Sequence, residues 1–258
     1  MQTWVVANQK GGVAKTTTAL SLAGLSAGSG MRVLFIDLDP QASASHYLGV
    51  EDSADKHCSI SLMMNEAGAL PVGSRYDGLD IFVGSAGLAT LERQAPAKGQ
   101  GLMLRRAIAG WQGRYDRVII DTPPSLGTLL INALACANQL IIPAQTEPLA
   151  VHGVRQLLRT LQMLESAGAD PVPRLMVATL HDCRTRSARE TLERMRAEFS
   201  GLLWDDLVPI DTRLCDASRR GEILPLEDQQ IRAAGAYWRL FQTLTRTLPM
   251  PGAGSNFA

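Results

Sequence analysis

Short unbroken apolar runs alternate along this chain with stretches whose apolar residues recur every third or fourth position. The runs Trp4 to Ala7, the first residues of RVLFID (32–37), LDIFVG (79–84), RVII (117–120), QLIIPA (139–144) and RLMVATL (174–180) predict strands buried on both faces. Between them, helical spacing starts at Thr16, with Ala19, Leu20, Leu22, Ala23 and Leu25 on the apolar positions. It returns in LRRAIAGW (104–111), near 128–137, near 151–167 and over 187–199, where Ala188, Leu192, Met195 and Phe199 form a stripe. The last periodic stretch, about 230–248, places Ala233, Ala236, Leu240, Phe241 and Leu244 for packing and stops at Pro249. Residues 49–78 read as irregular and polar around a short apolar segment, SISLMMN. The βα rhythm predicts an α/β fold: a doubly wound, mostly parallel sheet with helices on both faces.

At 258 residues and 46% apolar composition, the chain can bury the core of one such domain, expected over 1–248 with 249–258 as a disordered tail. Met1 leads directly into the first strand, so no leader is expected, and no apolar run is long enough to cross a bilayer. A cytoplasmic protein is therefore expected. Cys58, Cys136, Cys183 and Cys215 lack ligand-like spacing, and the four histidines form no cluster, so neither a cysteine or histidine metal site nor a disulfide framework is read.

The chemistry concentrates in three motifs. Residues 8–18, NQKGGVAKTTT, join the first strand to the first helix. Gly11 and Gly12 let backbone N–H groups converge on phosphate oxygens, and the helix N-terminus adds partial positive charge. The phosphate-binding stretch is Gly11, Gly12, Val13, Ala14, Lys15, Thr16 and Thr17. Lys15 would reach the β- and γ-phosphates, Thr16 would ligate Mg²⁺, and Thr17 offers a further hydroxyl. The usual GxxxxGK[ST] pattern is not met literally, since Gln9 and Ala14 replace its glycines. Ala14 is expected to be a tolerated variation, since alanine fits wherever the site does not demand a positive φ. The second motif, RVLFIDLDPQAS, ends a strand on Asp37 and Asp39 beside the loop, although DxDP alone also makes a strand-ending turn. The third, RVIIDTPPSLG, delivers Asp121 at the carboxyl end of a buried strand, a costly place for a carboxylate unless a cation meets it. Mg²⁺ is the expected cation, with Asp37 nearer its water shell.

The deviant KGGxxKT loop, with Lys10 five residues before Lys15, resembles the ParA/MinD (Soj) family of deviant Walker A P-loop ATPases, and the resemblance runs over nearly the whole chain. It implies a slow ATPase using ATP and Mg²⁺ that forms a homodimer when ATP-bound. Lys10 would reach the partner's phosphates, Asp39 would orient or activate the attacking water, and the segment through Gln41 and Thr122 to Gly127 would act as switches I and II. Glu147, in the TEP turn, would approach nucleotide across the dimer, and Pro209 and Asp211 would frame the adenine. A stimulating protein partner or cargo adaptor is also implied.

Nonspecific DNA binding in that family uses basic residues of the C-terminal third, which points to Arg184, Arg186, Arg189, Arg213 and Arg219. Here the arginines share their helix face with Glu190 and Glu193, Glu190 and Arg194 are spaced for an intrahelical pair, and the chain is neutral overall, so a solvated face stands beside a weak DNA surface. MinD-like proteins end in a basic amphipathic helix, which the uncharged MPGAGSNFA tail does not supply, so no membrane partner is expected. TWVVANQKGG, LATLERQ (88–94) and PIDTRLCDASRRG look most like ParC-type ATPases that position chemotaxis arrays, with a nucleoid-associated or polar address. Chromosome or plasmid partition is the alternative, and a metabolic P-loop enzyme would need a second-substrate pocket for which no residues are read.

Overall fold

The computed structural model describes residues 1–50, 55–93, 100–220, 222–223 and 231–247. The expected tail at 249–258 lies outside the described residues. Eight strands form one sheet: β1 (Gln2–Val6), β2 (Val33–Asp37), β3 (Val72–Gly73), β4 (Leu79–Phe82), β5 (Arg117–Asp121), β6 (Gln139–Gln145), β7 (Arg174–His181) and β8 (Leu203–Pro209). Their spatial order is β3-β4-β2-β5-β1-β6-β7-β8, parallel except for β3, which pairs antiparallel with β4. The expected doubly wound α/β architecture is the one observed.

Every residue of β1, β2 and β5 is buried, which is why these strands read as unbroken apolar runs. Alternation decides which face each side chain joins. Trp4, Val6, Phe35 and Ile119 pack with α1 (Lys15–Gly28) and the last helix (Arg232–Thr247), whereas Val5, Leu34, Ile36, Val118 and Ile120 join the opposite core. That second core is covered mainly by the helices Met103–Ala109, Thr128–Leu134, Pro148–Ser166 and Arg186–Glu198. Thr185 caps the last of these, its hydroxyl accepting from the Ala188 N–H.

Residues 49–78, expected to be irregular, contain a short helix at Ser59–Met63 and the edge strand β3. The sequence reading also lacked β8 and the helix Thr212–Arg219. β8 carries Asp205 and Asp206 in mid-strand, so no apolar run marks it. Glu190 pairs with Arg186 at 2.6 Å rather than with the expected Arg194.

The sheet order brings the site together. β5 lies between β1 and β2, and the register sets Asp121 beside both Val6 and Asp37. The phosphate-type loop after β1, the DxDP turn after β2 and the segment after β5 therefore leave the sheet side by side at its carboxyl edge, where open α/β sheets bind ligands.

Candidate functional site

The loop between β1 and α1 is tied down from below. Asn8 is buried; its amide donates to the Pro143 carbonyl at 2.7 Å, and its Oδ1 accepts from the Lys10 N–H at 3.1 Å. Val13 is wholly buried, and its carbonyl accepts from the Thr179 hydroxyl at 3.0 Å, so it serves the loop through its backbone. Above these anchors the loop is open: a Cβ built on Gly11 or Gly12 meets nothing within 4 Å, and Gly12 has φ +73°. The first turn of α1 has no acidic residue and no side-chain cap, leaving its amides to a ligand.

Ala14 corrects the sequence reading. Its backbone is left-handed, φ 64° and ψ 35°, so the position does demand a positive φ and alanine is strained there. A Cβ in this region costs about 1–2 kcal/mol. Ala14→Gly is therefore expected to raise nucleotide-free stability by about 1 kcal/mol in a denaturant titration, after the greater freedom of unfolded glycine is subtracted. A lower midpoint would show that the loop relaxes by another route.

Lys15 sits at the bottom of the loop, 8% exposed, its Nζ donating to the Lys10 carbonyl at 3.2 Å. Burial lowers its pKa, against the pull of Asp121 and then Asp39. Asp121 is fully buried, and neither carboxylate oxygen has a hydrogen-bond partner among the described residues. Burial, then the Asp37 carboxylate, pushes it up to about 8, while the Thr16 hydroxyl and Lys15 favour the charged form. Lys15 is thus surrounded by more carboxylates than it can neutralise, the electrostatic setting that a divalent cation relieves. Among the described residues no three His, Cys, Asp or Glu side chains converge as a protein-only cage. The donor set suits Mg²⁺, which takes one or two protein ligands and completes its shell with water and phosphate.

Asp37 holds the turn after β2. Its Oδ1 accepts from the Asp39 N–H at 3.0 Å, and its Oδ2 accepts from the Ser45 N–H at 3.0 Å and hydroxyl at 2.8 Å. Burial raises it to about 6 despite these bonds. Both oxygens are engaged by the turn that carries Asp39, so Asp37 frames that turn. Ser45 begins the second link: its hydroxyl oxygen accepts from the Gly84 N–H at 2.9 Å. Gly84, two residues past β4, packs against the turn that carries Asp39, since a Cβ there would lie 2.5 Å from the Asp39 carbonyl oxygen. Asp39 itself is half-buried and accepts through Oδ1 from the Gln41 N–H at 2.9 Å.

Lys10 lies across the loop from Lys15. Its Nζ donates to Gln145 Oε1 at 3.1 Å and to Glu147 Oε2 at 2.9 Å, with the lysine and glutamate side chains 25% and 58% exposed. Glu147 is thus the partner of Lys10 within one chain. Asp211 is buried and turned inward, its Oδ1 accepting from the Arg213 N–H at 3.1 Å, while Pro209 ends β8 opposite His181. Arg184 pairs with Asp182, Arg186 with Glu190 and Arg213 with Asp211, which compensates the charge of the expected DNA surface. Arg189 is exposed on the same helix, and the Arg219 side chain lies outside the described residues. Asn8, Ser45, Gly84 and Gln145 escaped the sequence reading because small polar residues and glycines carry no spacing signal; only the fold brings them to the loop.

A strand-loop-helix phosphate cradle flanked by the turns that follow β2 and β5, with one lysine inside it and another at its rim, defines a P-loop nucleotide-binding protein. Residues 1–171 match the AAA_31 family model, an AAA domain. Over 236 residues the chain is 33% identical to the sporulation initiation inhibitor protein Soj of Bacillus subtilis, covering 90% of this chain and 93% of Soj. It is 33% identical over 244 residues to the chromosome partitioning protein ParA of Caulobacter vibrioides, covering 91% and 90%. Among solved structures, cobyrinic acid a,c-diamide synthase of Mycobacterium smegmatis with bound ADP and magnesium matches at TM-score 0.78 and 32% identity, covering 95% of this chain and 94% of that one. The ATP complex of a Cyanothece McdA variant matches in fold at TM-score 0.85 and 21% identity, covering 100% and 98%. The chain belongs to the AAA_31 family and, within it, to the ParA/MinD group of P-loop ATPases.

Proposed function

We propose that this protein is an ATP-dependent dimerising switch that positions or segregates a cellular cargo and hydrolyses ATP slowly until a partner stimulates it. The observation that carries the reading is the buried, unpartnered Asp121 carboxylate beside Lys15 and Thr16, under a loop with open backbone amides. When bound, ATP with Mg²⁺ supplies the transferable phosphoryl group. Gly11 to Thr17 would hold its phosphates, and Thr16 with Asp121 its metal. Asp39 would orient the attacking water, and Lys10 would enter the partner's site. Structures of similar proteins with ADP or an ATP analogue and magnesium support the choice of nucleotide.

For the cargo, we favour a chemotaxis or related protein cluster, on the strength of the TWVVANQKGG, LATLERQ and PIDTRLCDASRRG stretches. Chromosome or plasmid partition is the second reading, supported by the names of the relatives. DNA contact through Arg189 and its neighbours would be weak and salt-sensitive, and dimerisation would double it. A metabolic role has less support: a cleft of about 810 Å³, lined by Met1, Thr3, Asn138 and Val172, lies at the amino-terminal ends of the strands, across the sheet from Lys15. No helix among the described residues is long and apolar enough to cross a membrane.

The test is phosphate release together with light scattering in ATP and in ADP. Dimers are expected with ATP only, and Lys15→Ala should weaken ATP binding about 100-fold, the loss of a charge-assisted contact. Dimerisation indifferent to nucleotide would sink the reading.

A further inference from the structure

The LATLERQ stretch has a part in the site that the phosphate chemistry leaves unassigned. Its described residues, 88–93, lie in a short helix, Gly87–Arg93, whose Leu88 and Leu91 join the same core as Leu129 and Leu130. From it the Glu92 side chain reaches over to the helix Thr128–Leu134, which follows switch II directly. Glu92 Oε2 accepts from the Leu129 N–H at 2.9 Å. That amide belongs to the first turn of a helix whose own N-cap residue, Gly127, supplies no side-chain acceptor. The fit is steric as well as polar. A Cβ on Gly127 would lie 2.5 Å from the Glu92 carboxyl carbon, so the missing side chain at 127 is the space the carboxylate fills. The backbone of Gly127 is at φ −107°, which any residue can adopt, so a side chain at 127 would be opposed by the seated Glu92 carboxylate rather than by its own conformation. Glu92 Oε1 is buried and has no hydrogen-bond partner among the described residues. A buried acceptor with spare capacity is costly at rest.

We propose that Glu92 is a positioning residue for switch II: through Leu129 and Gly127 it fixes where the segment after Asp121 ends, and so links the Gly87–Arg93 helix to the nucleotide site. The proposal rests on the ATP-switch reading. Three variants test it. Glu92→Ala is expected to lower basal kcat for ATP about tenfold, the scale of one charge-assisted hydrogen bond, with KM changed less than about twofold. Glu92→Gln keeps an acceptor and should recover most of that loss. Gly127→Ala should resemble Glu92→Ala, and in the Glu92→Ala background it should cost nothing more, because the space is already vacated.

Hydrogen exchange reads the contact without turnover: the Leu129 amide should exchange faster in Glu92→Ala while the β1 amides do not change. Unchanged Leu129 exchange, or a Gly127→Ala effect that persists in the Glu92→Ala background, overturns the proposal by itself. If wild-type protein hydrolyses no more ATP than Lys15→Ala, the ATP-switch reading falls, and the kinetic role of Glu92 falls with it.

Discussion

Asp39→Ala is expected to bind ATP and to accumulate as an ATP-bound dimer, with turnover about 10²–10⁴-fold below wild type, the usual contribution of a group that orients or deprotonates a reactant. The expectation follows from how the residue is held. Asp39 is only half-buried, at the tip of a turn whose frame is made by others: the Asp37 carboxylate, the Ser45 hydroxyl and the Gly84 amide. Removing its side chain deletes one local bond, from Gln41 N–H, and leaves that frame in place. Lys15, Thr16 and Asp121 are untouched, so nucleotide affinity should survive. The measurement is single-turnover hydrolysis beside a binding titration and light scattering. Hydrolysis at the wild-type rate would remove Asp39 from the reaction. Loss of ATP binding would show instead that the turn had collapsed.

The contrast between Asp37 and Asp39 shows how far the sequence could be read. Strand periodicity, the loop chemistry and the register-free rule that ligands sit at carboxyl strand ends were enough to gather Lys15, Asp39 and Asp121 into one place. They could not separate two aspartates on one turn, because what distinguishes them is Ser45, which reaches Asp37 only after the chain has passed through a left-handed Ala42. Ala14 was misread for a related reason. Composition says which residue stands in the loop, whereas the φ it must adopt is imposed by the anchors below it, Asn8 on Pro143 and Val13 on Thr179. β8 was lost because acidic residues interrupt the apolar pattern that reveals the other strands. Glu92 was visible as part of a family-like stretch, but its partners are 35 to 37 residues away and carry no signal beyond a glycine and a backbone amide.

Lys10→Ala should fold and bind ATP as wild type does, yet lose about 10³–10⁵-fold in dimer-dependent hydrolysis, the effect of withdrawing a cation supplied in trans. Within one chain, among the described residues, the Lys10 ammonium makes a half-exposed pairing with Glu147 and a bond to Gln145. Such a pair contributes no more than about 1 kcal/mol, so its loss leaves the fold intact and its exchange for a partner's phosphates is energetically open. The decisive measurement mixes two inactive variants before ATP is added. In a dimer of one Lys10→Ala and one Asp39→Ala subunit, the first subunit keeps its own Asp39 and receives Lys10 from the second, so one site is complete. If subunits assort at random, an equal mixture should recover roughly a quarter of the wild-type rate. A lysine acting within its own chain predicts no recovery at all, because each subunit then lacks one essential group whatever it pairs with.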